Sequence, residues 1–120
     1  MAAEQSVRAE NPNALIIRTN FYGWGPSYKP SFSDLILKSV RNHKPINLFT
    51  DAFFTPISTH SLAEKIVYLL NSGSSGTFNL CSNKRISKYE FGQKLCRVFS
   101  CSEKYLKRSV LKQRSDLVLR

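Results

Sequence analysis

Long apolar runs are missing from this 120-residue chain; its hydrophobic stretches last only a few residues, far short of the ~20 that a bilayer-crossing helix needs. The opening segment, MAAEQSVRAENPN, holds no apolar signal core, so neither a membrane nor a secretory route is indicated and a cytoplasmic location is expected. Glycine is scarce. None of the five forms Gly-x-Gly-x-x-Gly between a strand and a helix: GWG runs into Pro26, and GSSG follows a helix and precedes a strand. That excludes the backbone cradle that grips a pyrophosphate at a helix N-terminus. Cysteine is scarce and odd in number. Cys96 and Cys101 match no common zinc spacing and only 2 histidines accompany them, so no metal site and no disulfide framework is expected. All three are read as reduced thiols, with Cys81 and Cys96 buried. Acidic residues are few, 8 against 18 Lys and Arg, for a net charge of +10.

What is present suits a folded α/β protein. A hydrophobic fraction of 42% and an aromatic fraction of 12% support one modest core. The charge is uneven. Residues 1–83 carry 7 Lys/Arg and 5 Asp/Glu, whereas residues 84–120 carry 11 and 3. The basic end reads as a solvated surface that acidic neighbours would meet in a longer protein. A nucleic-acid partner finds no support beyond charge, because no aromatic-interleaved strand, zinc spacing or recognition helix accompanies it.

Residues 2–10 are helix formers halted by Asn11-Pro12-Asn13, and they read as the tail of a longer helix. Residues 14–19, ALIIRT, form a continuous apolar run that suits a strand buried on both faces. A Gly- and Pro-rich loop follows. Residues 32–44 place Phe32, Leu35, Ile36, Ser39 and Val40 on one helical face, with Ser31 or Ser33 as N-cap. Residues 45–50 read as a strand and FFTPIST as an extended segment. Ser61-Leu-Ala-Glu64 carries the capping-box pattern and predicts a helix over 62–70, burying Leu62, Ile66, Val67, Leu69 and Leu70. Residues 77–82 read as a strand. Ser87-Lys-Tyr-Glu90 repeats the cap and opens a helix to Phe99, with Phe91, Leu95, Val98 and Phe99 inward. Beyond it, KRSVLKQ reads as extended and RSDLVLR has an apolar centre; across VLKQRSDLVLR, Val110, Leu117 and Leu119 are expected to be exposed if a covering half is missing. The expected architecture is α/β, about four short strands and three helices with half-elements at both ends and an incomplete sheet.

RTNFYG, D…TPIS…SLA and GTFNL…S…EF, in this order and spacing, resemble the C-terminal half of dTDP-4-dehydrorhamnose reductase, an extended short-chain dehydrogenase/reductase of the NAD-dependent epimerase/dehydratase superfamily. The resemblance spans roughly residues 2–120. It implies the C-terminal portion of a Rossmann-type protein: residues 1–120 as one substrate-binding fragment whose N-terminal nucleotide-binding half is absent. It implies a nucleotide-sugar partner, NAD or NADP in the full-length protein and none for this fragment alone, and it leaves a homodimer open. In the family, a Tyr-x-x-x-Lys pair donates the proton as hydride reaches the carbonyl. No tyrosine here precedes a lysine by four: Tyr22, Tyr28, Tyr68, Tyr89 and Tyr105 are followed at that spacing by Pro26, Phe32, Ser72, Gln93 and Ser109. No catalytic residue is therefore assigned, and the fragment is expected to be inactive alone.

RTNFYGWG is a strand end, and in doubly wound sheets ligands bind beyond the carboxyl ends of strands. By resemblance this loop lies beside the nicotinamide and the sugar. That assigns Thr19, Asn20 and Phe21 to the cofactor, and Asn20, Phe21, Trp24, Thr55 and Pro56 to the substrate. Asn20 both donates and accepts hydrogen bonds, and the aromatics can wall a pocket against water. Arg18, charged within an apolar strand, requires a partner, and a buried salt bridge is expected. His60 is expected at the surface and Asp51 in a turn. Phe54 and Ile57 stand where the reductase usually has Gly and Thr. That departure leaves an alternative reading, a non-catalytic regulatory subunit of the same fold, similar to that of methionine adenosyltransferase.

Overall fold

The computed structural model describes residues 2–111. Its element order is α1 (Ala2–Glu10), β1 (Leu15–Thr19), β2 (Phe21–Tyr22), α2 (Phe32–Arg41), β3 (Ile46–Phe49), β4 (Phe53–Phe54), β5 (Ile57–Ser58), α3 (Thr59–Asn71), β6 (Gly76–Leu80), β7 (Ile86–Ser87), α4 (Lys88–Val98), a 3-10 turn (Glu103–Tyr105) and β8 (Leu106–Ser109). The helices and longer strands fall where periodicity places them. The added strands β2, β4, β5 and β7 are two residues each, too short to leave a pattern in sequence. RSDLVLR, with Leu117 and Leu119, lies outside the described residues.

The strands pair two by two. β1 runs parallel to β6, from Leu15 opposite Gly76 to Thr19 opposite Leu80. β3 runs parallel to β8, from Ile46 opposite Leu106 to Phe49 opposite Ser109. β2 pairs parallel with β5, and β4 antiparallel with β7. The core lies over β3 and β8, where α2 and α4 contribute Ile36, Val40, Phe91 and Cys96 against Leu48, Ile86 and Leu106. Gly92 sits at the closest approach of α4: a Cβ there would lie 2.5 Å from Leu48 Cδ1. By contrast, no residue of β1 or β6 is fully buried, so β1 is half-covered rather than buried on both faces. Its neighbour α1 buries no residue. Arg18 does find the salt bridge its position demands, at 2.7 Å from Glu4 Oε1, but its side chain is half exposed rather than buried.

Serines start the three longer helices. Ser31 caps α2 with a full capping box to Asp34, and the Ser87 hydroxyl accepts from the Glu90 N–H at α4. For α3 the cap is Ser58 rather than Ser61: the Ser58 hydroxyl accepts from the Ser61 N–H, and Glu64 lies 3.1 Å from His60 Nε2 instead of reaching back. The helix begins one turn early because Ser58 keeps the extended backbone of strand β5 (φ −67°, ψ 148°) that an N-cap requires. The ends of these helices share one device. In each, the second residue past the cap donates its N–H five residues back: Lys44 to Ser39, Ser74 to Leu69, Cys101 to Cys96. This Schellman closure needs a left-handed residue. Gly73 supplies it after α3, but His43 (φ 56°) and Ser100 (φ 55°) do so after α2 and α4. A non-glycine residue gives no sequence signal there, so α2 ends at Arg41 rather than Lys44.

Burial differs from the periodic reading at the outer turns. In α3 only Leu62 is buried, and Val67 and Leu70 are exposed because no described element covers that face. In α4 the buried stripe is Phe91, Gly92 and Cys96, while Val98 and Phe99 are exposed; the last turn overhangs the core and faces the loop after β1. Cys81 is exposed, not buried, because β6 ends at Leu80. Burial pushes the Cys96 thiol up, and Cys101 and Glu103 add to the shift. No described helix is long and apolar enough to cross a membrane.

Candidate functional site

The loop from Asn20 to Ser31 leaves the carboxyl end of β1 and is fixed at three places. The Asn20 carbonyl accepts from the Ile57 N–H at 2.9 Å, which aligns β2 with β5. Gly23 lies against Thr59, at the start of α3, so closely that a Cβ would sit 2.8 Å from its hydroxyl oxygen. The third anchor is Asp34. Its Oδ2 accepts from the Gly25 and Ser31 N–H groups, both at 2.8 Å, while the Ser31 hydroxyl donates to the Gly23 carbonyl at 2.6 Å. These backbone donors, Ser31 first and then Gly25, hold the Asp34 carboxyl below its ordinary value. A capping residue of α2 thereby also positions Trp24.

Trp24 is 60% exposed, stands edge-on to Phe99 at 5.4 Å between ring centres, and forms the shared wall of three clefts. The first, about 480 Å³, brings together Thr19, Asn20, Phe21 and Trp24 with Phe54 and Lys88. The second, about 650 Å³, holds Pro56 with His60, Lys84 and Lys94. The third, about 660 Å³, lies between Trp24, Arg41 and Phe99. Of the residues assigned from sequence, four share the first cleft and Pro56 lines the second. Thr55 lines none of them; its carbonyl accepts from the Ser82 N–H at 3.4 Å. Asp51 follows β3, where its carboxylate accepts from the Leu111 N–H at 2.8 Å. His60 is at the surface.

Phe54 and Ile57 are absorbed by packing. Phe54 meets Phe91 edge-on at 5.5 Å and Ile57 is buried. Phe91 is the hub of this aromatic wall, with Tyr22 at 5.3 Å and Phe32 stacked at 5.7 Å. Sequence reasoning passed over two residues here. Lys88 projects its ammonium over the Phe54 ring at 3.5 Å and the Phe32 ring at 5.2 Å, and burial lowers its pKa. Ser33 is buried and its hydroxyl has no hydrogen-bond partner among the described residues; the Thr19 hydroxyl is in the same state. One signal for Lys88 was legible: a lysine at the first position of a helix opposes the helix dipole. Elsewhere in the basic segment, Arg85 lies over Phe53 and Arg108 over Tyr89, so part of the excess charge is spent on aromatic faces. Among the described residues no three His, Cys, Asp or Glu side chains cluster as metal ligands would.

Comparison with known proteins agrees with this architecture. The family model described as RmlD substrate binding domain matches residues 1–115. The probable low-salt glycan biosynthesis reductase Agl14 of Haloferax volcanii is 32% identical over 114 residues, covering 92% of this chain and 38% of that protein. Among solved structures, a dTDP-4-dehydrorhamnose reductase from Clostridium acetobutylicum superposes with TM-score 0.80 at 24% identity, over 92% of this chain and 38% of the other. The Bacillus anthracis dTDP-4-dehydrorhamnose reductase, solved in complex with NADP, gives TM-score 0.82 at 20% identity, over 93% of this chain and 39% of the other. The chain thus spans about 38% of the length of these relatives, and its fold is that of the C-terminal portion of Rossmann-type extended short-chain dehydrogenase/reductases. Matched along nearly its whole length, the chain belongs to the RmlD substrate binding domain family.

Proposed function

We propose that this chain is the sugar-nucleotide-binding part of an NAD(P)-dependent reductase acting on a dTDP-4-keto-sugar, and that the nucleotide-binding half is supplied by residues outside it. One observation carries the reading: Thr19, Asn20, Phe21 and Trp24 line one cleft at the carboxyl end of β1, the end at which this fold class binds ligands. The residues present suit a flanking role toward a nicotinamide. An orphaned Thr19 hydroxyl and the Asn20 amide are hydrogen-bonding groups for a carboxamide or ribose, and Phe21 and Trp24 are exposed apolar surfaces for a ligand to cover. Hydride chemistry would come from the nicotinamide when bound. The part of this chain is to orient the sugar and exclude water, with Pro56 shaping the adjoining cleft. The 120 residues hold no Gly-x-Gly-x-x-Gly and no Tyr-x-x-x-Lys, so the pyrophosphate grip and the proton donor fall to the other half, and the chain alone is inactive.

The test is a titration of the chain with dTDP, followed by emission of its single tryptophan, Trp24. Saturable quenching, weakened at least tenfold in Asn20→Ala, is expected. Unchanged emission and unchanged backbone amide spectra with dTDP and with a dTDP-hexose would overturn the reading. Turnover of NADPH by the purified chain with a dTDP-4-keto-sugar would overturn the division of labour between the halves.

A further inference from the structure

Lys88 is placed at a cost that nothing among the described residues offsets fully. It is the first residue of α4, where the helix dipole disfavours a cation. Its backbone N–H is committed to the Ala52 carbonyl at 3.0 Å, which fixes the base of the side chain. Its ammonium sits over two phenyl rings, and no carboxylate among the described residues pairs with it. Cation–π attraction recovers part of the lost hydration, but a ring face satisfies none of the three N–H donors. Among the described residues, the lining of the cleft that receives it contains no carboxylate, and Lys88 is its one cation. In the same lining, Ser33 is 2% exposed with an unpartnered hydroxyl in the first turn of α2, and Asn20 offers an exposed amide. A buried hydroxyl without a partner is costly, and rotation about one torsion carries it between staggered positions.

We propose that Lys88, with Ser33 and the Asn20 amide, forms an oxyanion subsite in the cleft, taking one phosphoryl or carboxylate group of the ligand that binds there. A lone ammonium acts as a point charge suited to one such group rather than as a bidentate fork. The proposal rests on the reading that a nucleotide ligand enters this cleft. It adds that the ligand places a negative group against the α2–α4 wall, beside the Phe54 face. That group is either a phosphoryl of the nucleotide or a carboxylate on an acidic sugar.

Two probes separate these sources. Inorganic phosphate and D-glucuronate are titrated into the chain, with D-glucose as the neutral control, and amide shifts are followed by NMR. Saturating shifts at residues 19–23 and 87–90 are expected, at least tenfold weaker in affinity in Lys88→Met, weakened in Ser33→Ala and largely kept in Lys88→Arg. The tighter of the two anions identifies the source. Shifts that persist in Lys88→Met, or that fail to saturate and scatter over the Lys/Arg surface, would overturn the subsite. If Lys88→Met does not fold, the Ser33→Ala and Lys88→Arg comparison decides by the same criteria. The two readings fail separately. If dTDP binds wild type and Lys88→Met alike and neither anion probe depends on Lys88, the subsite falls and the functional reading stands. If phosphate binding depends on Lys88 while neither dTDP nor a dTDP-hexose binds, the subsite stands and the functional reading falls.

Discussion

Replacing Gly25 by alanine tests whether the loop that presents Trp24 is as tightly anchored as its contacts indicate. A Cβ at position 25 would lie 2.4 Å from the Lys29 carbonyl oxygen and 2.8 Å from the Ser31 nitrogen, whereas ordinary contact begins at 3.4 Å. Both obstacles are backbone, so no side-chain rotation relieves them; the loop must open by about 1 Å to restore ordinary contact. Ser31 is the N-cap of α2 and is held by Asp34, as is Gly25 itself, so the opening strains both hydrogen bonds. Overpacking of this kind costs about 1–3 kcal/mol. Against it stands the entropy that alanine removes from the unfolded chain, about 0.4–1 kcal/mol, since Gly25 is not among the positive-φ glycines. The clash wins, for a net loss of about 1–2 kcal/mol. At a urea dependence of about 1–3 kcal/mol per M, the unfolding midpoint should fall by roughly 0.3–2 M. The emission of Trp24, edge-on to Phe99 in the wild type, should shift as the loop moves. An unchanged midpoint together with unchanged emission would refute the anchoring argument.

Three further outcomes follow from the same contacts. The Asp34 carboxyl is depressed in the folded state, so its contribution is present above the unfolded carboxylate range and is lost as pH falls through the folded value. Thermal melts from pH 7 to pH 3 should show that decline, and Asp34→Asn should flatten it. Phe91→Ala removes the hub of the aromatic wall and should cost about 3–5 kcal/mol by chemical denaturation; a loss below 1 kcal/mol would mean that the wall is not packed as described. With an aromatic disulfide reagent at neutral pH, Cys81 should react rapidly. Cys96, buried and with its thiol pushed up, should react only on unfolding, so equal rates would contradict its placement.

The extent to which the site was legible from sequence varies residue by residue. The α2 and α4 starts were readable because Ser31 and Ser87 act within one turn of their own helices. The α3 start was misread because two serines compete, and the choice depends on which one keeps an extended backbone, which Ser58 owes to β5 pairing with β2. Asn20, Phe21 and Trp24 could be singled out because a polar and aromatic cluster closing an apolar run is a local pattern. For Lys88 the only local signal is a cation at the first position of a helix; its environment comes from Phe32 and Phe54, which lie 56 and 34 residues earlier in the chain.

The sequence by itself determined the alternation of helix and strand, the strand-end loop and the lack of a glycine cradle, because periodicity, capping and composition are properties of neighbours along the chain. Only the tertiary structure decided that the core lies over β3 and β8 rather than β1, that Trp24 walls three clefts, and that a lysine is held over phenyl rings with no carboxylate among the described residues beside it. Those outcomes depend on contacts between distant residues, whose energies are set by burial and by which groups are left unpaired, and no local pattern records either.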